Sequence, residues 1–255
     1  MSLEVKSLSF HYGKKQVLNS INVVGVKPGQ LTALIGPNAA GKSTFFKSIS
    51  GLLKPSHGTV ELNGVDLASL PYADQVRRVC YMPQFFSANA SLTVFDVILL
   101  ARKNLSQWSV KADDVEAVST LLVSLGIDAL SQTYVSDLSG GQQQMVSIAQ
   151  ALIREPEVFL FDEPTSALDL KRQLEIMSAI KKAAIDRNII CMVALHDLNL
   201  AARFADNILL LQNGTLAADG SPNQVLASAA VEETYGVKVE IIQSSEGQIH
   251  VSAYL

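Results

Sequence analysis

A stretch near the N-terminus combines the residue types and spacing of a phosphate-binding loop. It reads Gly36-Pro37-Asn38-Ala39-Ala40-Gly41-Lys42-Ser43-Thr44. The apolar run 31–35 before it is predicted to be a strand, and residues 45–49 after it are predicted to be a helix, so the loop joins a strand to a helix. Glycines let the backbone turn tightly, so that successive N–H groups face phosphate oxygens, and the new helix adds its own amides. The stretch predicts a site for a nucleoside triphosphate.

Two side chains of this loop have predicted chemical roles. Lys42 would reach the β- and γ-phosphates, and the Ser43 hydroxyl would be a ligand of Mg²⁺. The helix dipole contributes only about 0.3–1 kcal/mol. The backbone amides and Lys42 must therefore supply most of the affinity.

An acidic pair, Asp162-Glu163, follows the apolar run 158–161. Doubly wound sheets bind ligands at the carboxyl ends of such buried strands. We expect Asp162 to bind Mg²⁺, directly or through water, and Glu163 to polarise the attacking water. The alternative is a pair of acids on a solvated strand end. The apolar strand and the upstream phosphate loop argue against it.

A second loop of small residues, Leu138-Ser139-Gly140-Gly141-Gln142, precedes a helix predicted to begin near Gln142. The N-terminus of that helix is a second candidate anion site by the same reasoning. Taken alone, Ser-Gly-Gly is more typical of an ordinary helix cap than of a ligand site. Its position shortly before the acidic strand favours the ligand site.

Composition excludes several classes of protein. The 255 residues are enough for one or two domains, and 48% of them are hydrophobic. No uncharged apolar run reaches eighteen residues, and Met1–Lys6 lacks the layout of a secretion signal. A net charge of −4 without a basic tract argues against nucleic acid as a partner. Cys80 and Cys191 read as buried free thiols of a reducing compartment. We expect a cytoplasmic chain that is soluble by itself.

The elements that must position these residues alternate between strand and helix. Besides 31–35, the predicted strands are 3–10, 20–26, 59–62, 79–82, 158–161, 189–195, 207–211, 237–242 and 249–252. Besides 45–49, the predicted helices are 69–78, about 142–154, 170–187 and 198–204, with helical patterns in 91–126 and a short helix after Pro222. Such alternation favours a mostly parallel sheet covered on both faces.

Together the motifs resemble the nucleotide-binding subunit of ATP-binding-cassette (ABC) transporters, over nearly the whole chain. The matching elements, in chain order, are an adenine-stacking aromatic (Tyr12), the Walker A loop (36–44), the Q-loop glutamine (Gln84), the family signature (138–142), Walker B (158–163), the D-loop (166–169) and the switch histidine (His196). By themselves, Tyr12 and His196 fit ordinary structural positions equally well, and Gln84 is uninformative.

The resemblance implies an α/β fold, the P-loop NTPase cassette. Its core sheet is mostly parallel, with an N-terminal antiparallel β-subdomain and an inserted α-helical subdomain. Residues 1–255 would form one ABC ATPase domain. Segments 1–87 and 156–255 would be the RecA-like core with the antiparallel subdomain, and 88–155 the helical signature subdomain.

The resemblance also implies ATP and Mg²⁺ as the ligands and assigns roles to residues. Glu163, His196 and Lys42 would be catalytic. Mg²⁺ would be held by Ser43, Gln84 and Asp162. The nucleotide would be bound by Tyr12, Gly36, Pro37, Asn38, Ala39, Ala40, Gly41, Lys42, Ser43, Thr44, Ser139, Gly140, Gly141, Gln142 and Asp169.

Partners are implied as well. Two copies would pack head-to-tail, with each ATP between the Walker A loop of one copy and Ser139-Gly140-Gly141 of the other, and hydrolysis would weaken that interface. Residues 91–102, 196–206 and 233–237 resemble the importers of vitamin B12, ferric siderophores and haem. The chain would then be peripheral at the cytoplasmic face of the inner membrane. Two permease subunits would contact segment 84–105, and a periplasmic or extracellular substrate-binding protein would act indirectly.

Ala39 departs from the family pattern, which usually has glycine there. If the position needs a positive φ, the left-handed conformation costs an alanine about 1 kcal/mol. We expect nucleotide binding to survive with a lower affinity.

Two alternatives stay open at this point. One is an importer of another small solute. The other is a soluble cassette ATPase of DNA repair, translation or iron–sulfur assembly. The repair and translation classes usually carry long coiled-coil inserts or duplicated cassettes, which this sequence lacks. An iron–sulfur assembly protein would have a similar length.

Overall fold

A computed structural model describes residues 1–84, 91–103, 109–166, 168–243 and 249–255. Its strands are β1 (Leu3–Tyr12), β2 (Lys15–Val26), β3 (Leu31–Ile35), β4 (His57–Leu62), β5 (Val65–Asp66), β6 (Val79–Met82), β7 (Val158–Asp162), β8 (Ile190–Leu195), β9 (Asn207–Gln212), β10 (Thr215–Gly220), β11 (Lys238–Gln243) and β12 (Ile249–Tyr254). Its α-helices are α1 (Lys42–Ile49), α2 (Tyr72–Arg78), α3 (Val94–Arg102), α4 (Ala112–Ser124), α5 (Gly140–Leu152), α6 (Leu170–Arg187), α7 (Leu198–Phe204), α8 (Pro222–Leu226) and α9 (Ala229–Tyr235).

The main sheet has six strands in the order β10-β9-β3-β8-β7-β6. All its pairings are parallel except that of the edge strand β10 with β9. Every residue of β3, β7 and β8 is buried, which explains why these strands are almost entirely apolar. Because they run in parallel, their carboxyl ends meet at one edge of the sheet. The expected α/β class is confirmed.

A second sheet, antiparallel and in the order β2-β1-β4-β5, covers one face of the main sheet. Helix α1 lies between the two sheets, and its Phe45 and Phe46 are fully buried there with Leu34 of β3 and Leu160 of β7. The opposite face of the main sheet packs against α5, α6 and α7, and α3 and α4 join the same apolar cluster. The main sheet is thus covered on both faces.

Helices α3 and α4 are joined at Asp114, a buried residue in the first turn of α4. Its carboxylate accepts hydrogen bonds from Arg102 Nε (3.0 Å) and from the Lys111 backbone N–H (2.9 Å), and it also contacts the Lys103 ammonium. The Lys103 ammonium above all, then the Lys111 N–H and the Arg102 guanidinium, hold the pKa of Asp114 well below its usual range. This ionised carboxylate fixes the end of α3 against the start of α4.

Some elements differ from the expectation. Strand β2 begins at Lys15, five residues earlier than predicted, because Tyr12 pairs with Lys15 across a hairpin turn. Strand β10 was not predicted, since Thr215–Gly220 has little β propensity and forms only through pairing with β9. The tail contains two short helices, α8 and α9, where one was predicted.

Cys80 and Cys191 are both buried and unpaired, as expected. Burial raises the pKa of the Cys80 thiol to about 11. Within the described ranges, no helix has the length and apolar character that crossing a bilayer requires.

Candidate functional site

The phosphate loop is held by two glycines that approach other backbone closely. At Gly36, with φ 150°, a Cβ would lie 2.3 Å from the carbonyl oxygen of Leu211. At Gly41, with φ 106°, a Cβ would lie 2.9 Å from Leu18 and 3.2 Å from the Val17 carbonyl oxygen. Only glycine fits at these two positions, which place the N-terminus of α1 at the carboxyl edge of the main sheet.

Ala39 has φ 63°, so this position does adopt the left-handed conformation that is costly for an alanine. An alanine pays about 1 kcal/mol or more for the left-handed conformation, because its Cβ crowds the backbone. The loop keeps its turn nevertheless, with the Ala40 N–H donating to the Pro37 carbonyl at 3.2 Å.

Lys42 is a buried cation at the centre of the loop. Its ammonium donates to the carbonyl oxygens of Gly36 (2.8 Å) and Pro37 (3.2 Å) and lies 3.8 Å from a carboxylate oxygen of Glu163. Burial lowers the pKa of Lys42, and the nearby acids oppose that shift. A desolvated ammonium with mostly neutral acceptors is well suited to bind an anion.

Asp162, at the end of β7, is buried, and its two carboxylate oxygens differ in their hydrogen bonding. Oδ2 accepts a hydrogen bond from the Tyr81 hydroxyl at 2.9 Å. Oδ1 is buried and has no hydrogen-bond partner among the described residues. Burial and then the charge of Asp162 raise the pKa of Tyr81, so its hydroxyl stays a donor. A buried, unpaired carboxylate oxygen beside a phosphate site fits a Mg²⁺ ligand, as does the Ser43 hydroxyl at the start of α1.

Glu163 connects three predicted site residues. Its carboxylate lies 2.5 Å from Nε2 of His196, which follows β8, and accepts a hydrogen bond from Gln84 at 3.0 Å. The Gln84 amide also donates to Ser166 Oγ at 3.1 Å. Glu163 itself has φ 54°, an unusual conformation for a non-glycine residue. The loop after β7 therefore turns sharply and presents the carboxylate to Lys42 and His196.

Glu163 and the phosphate loop border a cavity of about 570 Å³. The described residues that line it are Tyr12, Lys15, Gln16, Val17, Asn38, Ala39, Ala40, Gly41, Lys42, Ser43, Thr44, Glu163, Asn213 and Gly214. Tyr12 is half exposed, and its ring meets that of Phe10 edge-on with the centroids 4.8 Å apart. An exposed, braced aromatic ring and a phosphate loop that line one cavity fit a nucleotide.

Sequence reasoning missed five of the lining residues, Lys15, Gln16, Val17, Asn213 and Gly214. The first three follow Tyr12 across the β1–β2 hairpin turn, and they reach the cavity through the pairing of Tyr12 with Lys15, which the local sequence does not show. The other two form the Asn-Gly turn between β9 and β10. Recognising that hairpin would have placed the turn beside β3.

Gly214 joins three parts of the site. Its N–H donates to the Ala40 carbonyl at 3.1 Å, and its carbonyl accepts from the Asn19 N–H at 2.8 Å. With φ 77°, it sits so close to β2 that a Cβ would lie 2.1 Å from the Val17 carbonyl oxygen. The turn therefore holds the phosphate loop against the antiparallel sheet.

The second small-residue loop begins α5. Ser139 is the helix N-cap, and its side chain and that of Gln142 exchange hydrogen bonds with each other's backbone N–H groups at 3.4 and 2.9 Å. Ser139 and Gly140 are exposed, whereas Gly141 packs against the side chain of Arg172. None of residues 139–142 is among the described residues lining the nucleotide cavity.

Asp169 caps α6, its carboxylate accepting from the Arg172 N–H at 2.9 Å, and it does not border the cavity in the described part of the chain either. Ala167, in the same predicted D-loop, lies outside the described residues. The structure thus brings the predicted Walker A, Q-loop, Walker B and switch residues together. It leaves the signature and Asp169 elsewhere on the surface of one copy. The roles of all these residues remain predictions.

Comparison with known proteins gives consistent matches. The family model described as "ABC transporter" matches residues 18–166. An ABC transporter ATP-binding protein of Methanocaldococcus jannaschii, itself uncharacterized, is 39% identical, with 94% of each chain covered. A petrobactin import ATP-binding protein of Bacillus anthracis is 32% identical (96% of this chain, 90% of the relative). A hemin import ATP-binding protein of Bordetella avium is 34% identical, with 95% of each covered.

Solved structures agree with these matches. A subunit of an ABC transporter assigned to the metal-chelate type, in an inward-facing conformation, superposes with a TM-score of 0.85 at 26% identity. That match covers 100% of this chain and 98% of the other. A nucleotide-free ATP-binding cassette of an ABC transporter superposes with a TM-score of 0.82 at 24% identity, covering 92% and 98%.

Proposed function

Since this chain belongs to the ABC transporter family and is an ATPase of that family, we propose that it is the ATP-hydrolysing subunit of an importer for a metal chelate, a ferric siderophore or haem, or for vitamin B12. The relatives named for petrobactin and hemin import support this substrate class. The likeness to a transporter of the metal-chelate type over the whole chain supports it further. These names favour import over the soluble cassette ATPases.

The observation that carries the ATPase proposal is that Lys42 and Glu163 lie 3.8 Å apart and both line a nucleotide-sized cavity, with the charge of Asp162 acting on the same ammonium. Tyr12, which lines the same cavity, would stack on the adenine. Lys42 would exchange its carbonyl contacts for β- and γ-phosphate oxygens, which are stronger acceptors because they are charged.

Ser43, Gln84 and Asp162 would hold the Mg²⁺ that accompanies ATP. Bound there, the cation neutralises part of the charge on the β- and γ-phosphates. The unpaired Oδ1 of Asp162 supports this assignment, because a buried carboxylate oxygen without a partner is otherwise costly.

Glu163 would accept a proton from the attacking water or orient it toward the γ-phosphate. His196 and Gln84 already contact its carboxylate and so restrict its rotation. This arrangement supports a role for His196 and Gln84 in holding the water-activating group. His196 would also contact the γ-phosphate.

A second copy of the chain would complete the site. Ser139 and Gly140 are exposed at the N-terminus of α5, a favourable place for a phosphate, yet the loop 139–142 does not border the cavity among the described residues. In a head-to-tail pair, the loop 139–142 of one copy would face the ATP held by the other, with Asp169 near the interface. Hydrolysis would then remove charge from between the two loops and weaken the pair.

Two permease subunits would anchor the pair at the cytoplasmic face of the membrane, and an external binding protein would deliver the substrate to them. The permeases would contact segment 84–105, of which residues 85–90 and 104–105 lie outside the described part of the chain. Helix α3 within this segment exposes Leu100, which supports a protein contact there. We also keep the division into a core, 1–87 and 156–255, and a helical part, 88–155, as a proposal.

The proposal is tested by isolating the chain with its partners. A photocrosslinker at Phe95 of the tagged protein, expressed in its own cells, should capture a membrane protein. The co-purified complex in proteoliposomes should hydrolyse ATP faster when a chelate-loaded binding protein is added. Crosslinks to soluble proteins alone would favour the soluble cassette ATPase instead.

A further inference from the structure

The Tyr81 hydroxyl makes a contact that none of the predicted roles explains. Tyr81 lies on β6, the edge strand of the main sheet, and pairs in register with Leu160 of β7. Its hydroxyl nevertheless reaches Asp162, two residues further along β7, and donates to Oδ2 at 2.9 Å. The phenol therefore extends along the sheet toward the carboxyl edge, where the phosphate loop lies.

This hydrogen bond determines which oxygen of Asp162 is free. The carboxylate is buried, so water does not compete freely for it. With Oδ2 bound to the phenol, only Oδ1 is available, and it has no partner among the residues that the structure describes. Without the phenol, the carboxylate could rotate about its Cβ–Cγ bond and exchange the two oxygens. A neutral hydroxyl suits this task because it donates without neutralising the charge that a cation needs.

We propose that Tyr81 is a positioning residue that holds the Asp162 carboxylate with Oδ1 directed at the Mg²⁺ of bound Mg·ATP. The inference rests on the proposed ATPase site and adds a residue to it. Tyr81 itself would not touch the cation or the nucleotide. Groups that orient metal ligands in this way typically change metal affinity about 10–100-fold when removed.

The same strand end also supports Glu163. Gln84, three residues after Tyr81, donates to the Glu163 carboxylate at 3.0 Å. The end of β6 and the residues just after it thus contact both acids at the end of β7, one through a phenol and the other through an amide. Tyr81 would fix the acid that holds the cation, and Gln84 the acid that acts on water.

The test is the substitution Tyr81→Phe, which removes the hydroxyl and keeps the ring that packs against the core. Calorimetry would give the affinity for ATP in excess EDTA. Electron paramagnetic resonance would give the affinity of the ATP-bound protein for Mn²⁺, used as a probe for Mg²⁺. We expect an unchanged ATP affinity without cation and an affinity for Mn²⁺ lower by about tenfold or more. The half-saturating Mg²⁺ concentration for hydrolysis should rise more than kcat falls.

Two further variants separate the possible failures. Tyr134→Phe, which removes the hydroxyl of an exposed tyrosine, is the matched control and should leave the Mn²⁺ affinity unchanged. Asp162→Asn removes the expected ligand itself and should weaken Mn²⁺ binding at least as much as Tyr81→Phe. A Tyr81→Phe protein with wild-type Mn²⁺ affinity, or with equal losses of ATP and Mn²⁺ binding and a lower Tm, would overturn the positioning role. If Asp162→Asn also binds Mn²⁺ normally, the proposed cation site is wrong.

Discussion

At the scale of single residues, the carboxylate of Glu163 is the most constrained group in the site. It is contacted by His196 and Gln84, lies 3.8 Å from the Lys42 ammonium, and belongs to a residue with φ 54°. Strained conformations of this kind persist only where the surrounding contacts impose them. The contacts here direct the carboxylate at the phosphate end of the cavity.

Glu163→Gln is therefore expected to separate binding from catalysis. The amide keeps the size of the side chain but is a poor base, so kcat should fall by about 10²–10⁴-fold. ATP affinity, measured by calorimetry, should stay within a few-fold of wild type, and the ATP-bound pair should accumulate in size-exclusion chromatography. Glu157→Gln, at the residue just before β7, is the control. Retained hydrolysis in Glu163→Gln would assign the activation of water to another group.

Ala39→Gly tests the strain in the phosphate loop. Glycine removes the cost of φ 63°, which is about 1 kcal/mol for an alanine. It also stabilises the unfolded chain by about 0.5–1 kcal/mol, because a glycine has more conformational entropy there. The two effects nearly cancel, so the Tm should change little. Nucleotide affinity, measured by calorimetry, should be equal to or higher than that of wild type. A tenfold loss of affinity in the glycine variant would show that the alanine does not strain the binding conformation.

At the scale of elements, the β9–β10 turn is the least obvious support of the site. Asn213 and Gly214 come near the end of the main sheet in sequence, yet Gly214 contacts both the phosphate loop and β2. The turn also carries the signal that sequence analysis overlooked, an Asn-Gly pair between two short strands.

Gly214→Ala should disturb the turn for two reasons, a steric clash of the new Cβ and the positive φ of 77°, which is unfavourable for an alanine. The new Cβ would lie 2.1 Å from the Val17 carbonyl oxygen, so the turn or β2 must move. Gly13→Ala is a matched control, because Gly13 also has a positive φ but has no atom within 4 Å of its Cβ position. Urea unfolding should show a loss for Gly214→Ala larger by about 1–3 kcal/mol than for Gly13→Ala.

Nucleotide affinity gives a second readout of the same pair of variants. It should fall in Gly214→Ala, because the Ala40 carbonyl loses its partner, and stay unchanged in Gly13→Ala. Equal losses of stability in the two variants would mean that the close approach of Gly214 to β2 is not needed.

Much of the fold and part of the site could be predicted from local sequence. The loop 36–44 and the acids after β7 carry their chemistry in consecutive residues, and the buried strands are apolar runs. The lining residues 15–17 could not be predicted in this way, because they depend on pairing between strands. Strand β10 has little β propensity of its own, and only the Asn-Gly pair before it indicates a hairpin. The bond between Tyr81 and Asp162 likewise depends on the register of β6 with β7.

At the scale of the whole molecule, one copy holds the phosphate loop and the loop 139–142 on different surfaces. If two copies pair head-to-tail, each site takes Lys42 from one chain and Gly140 from the other. The location of a defect within the pair then determines which of the two sites is lost.

Mixing two inactive variants tests this pairing. Lys42→Ala removes the cation, and Gly140→Asp places a negative charge where the opposite ATP should bind. A Cβ added at Gly140 would have no atom within 4 Å, and an acidic residue is favourable in the first turn of a helix. Gly140→Asp should therefore fold. Each variant alone should lack ATPase activity. A mixed pair isolated with two affinity tags has one site with both defects and one with none, so it should recover up to about half of the wild-type activity.

Gly140→Ala is the control for the backbone change and should keep its activity. No recovery in the mixed pair, with both variants folded by circular dichroism, would contradict an active site shared between copies.

The order of the main sheet has a consequence for synthesis on the ribosome. Strand β3, which leads into the phosphate loop, lies between β8 and β9, and both neighbours come from residues after 189. A nascent chain therefore carries the complete Walker A sequence long before either flanking strand has been translated. Until then the emerging polypeptide needs protection from aggregation. It cannot hydrolyse ATP before most of the chain has been synthesised.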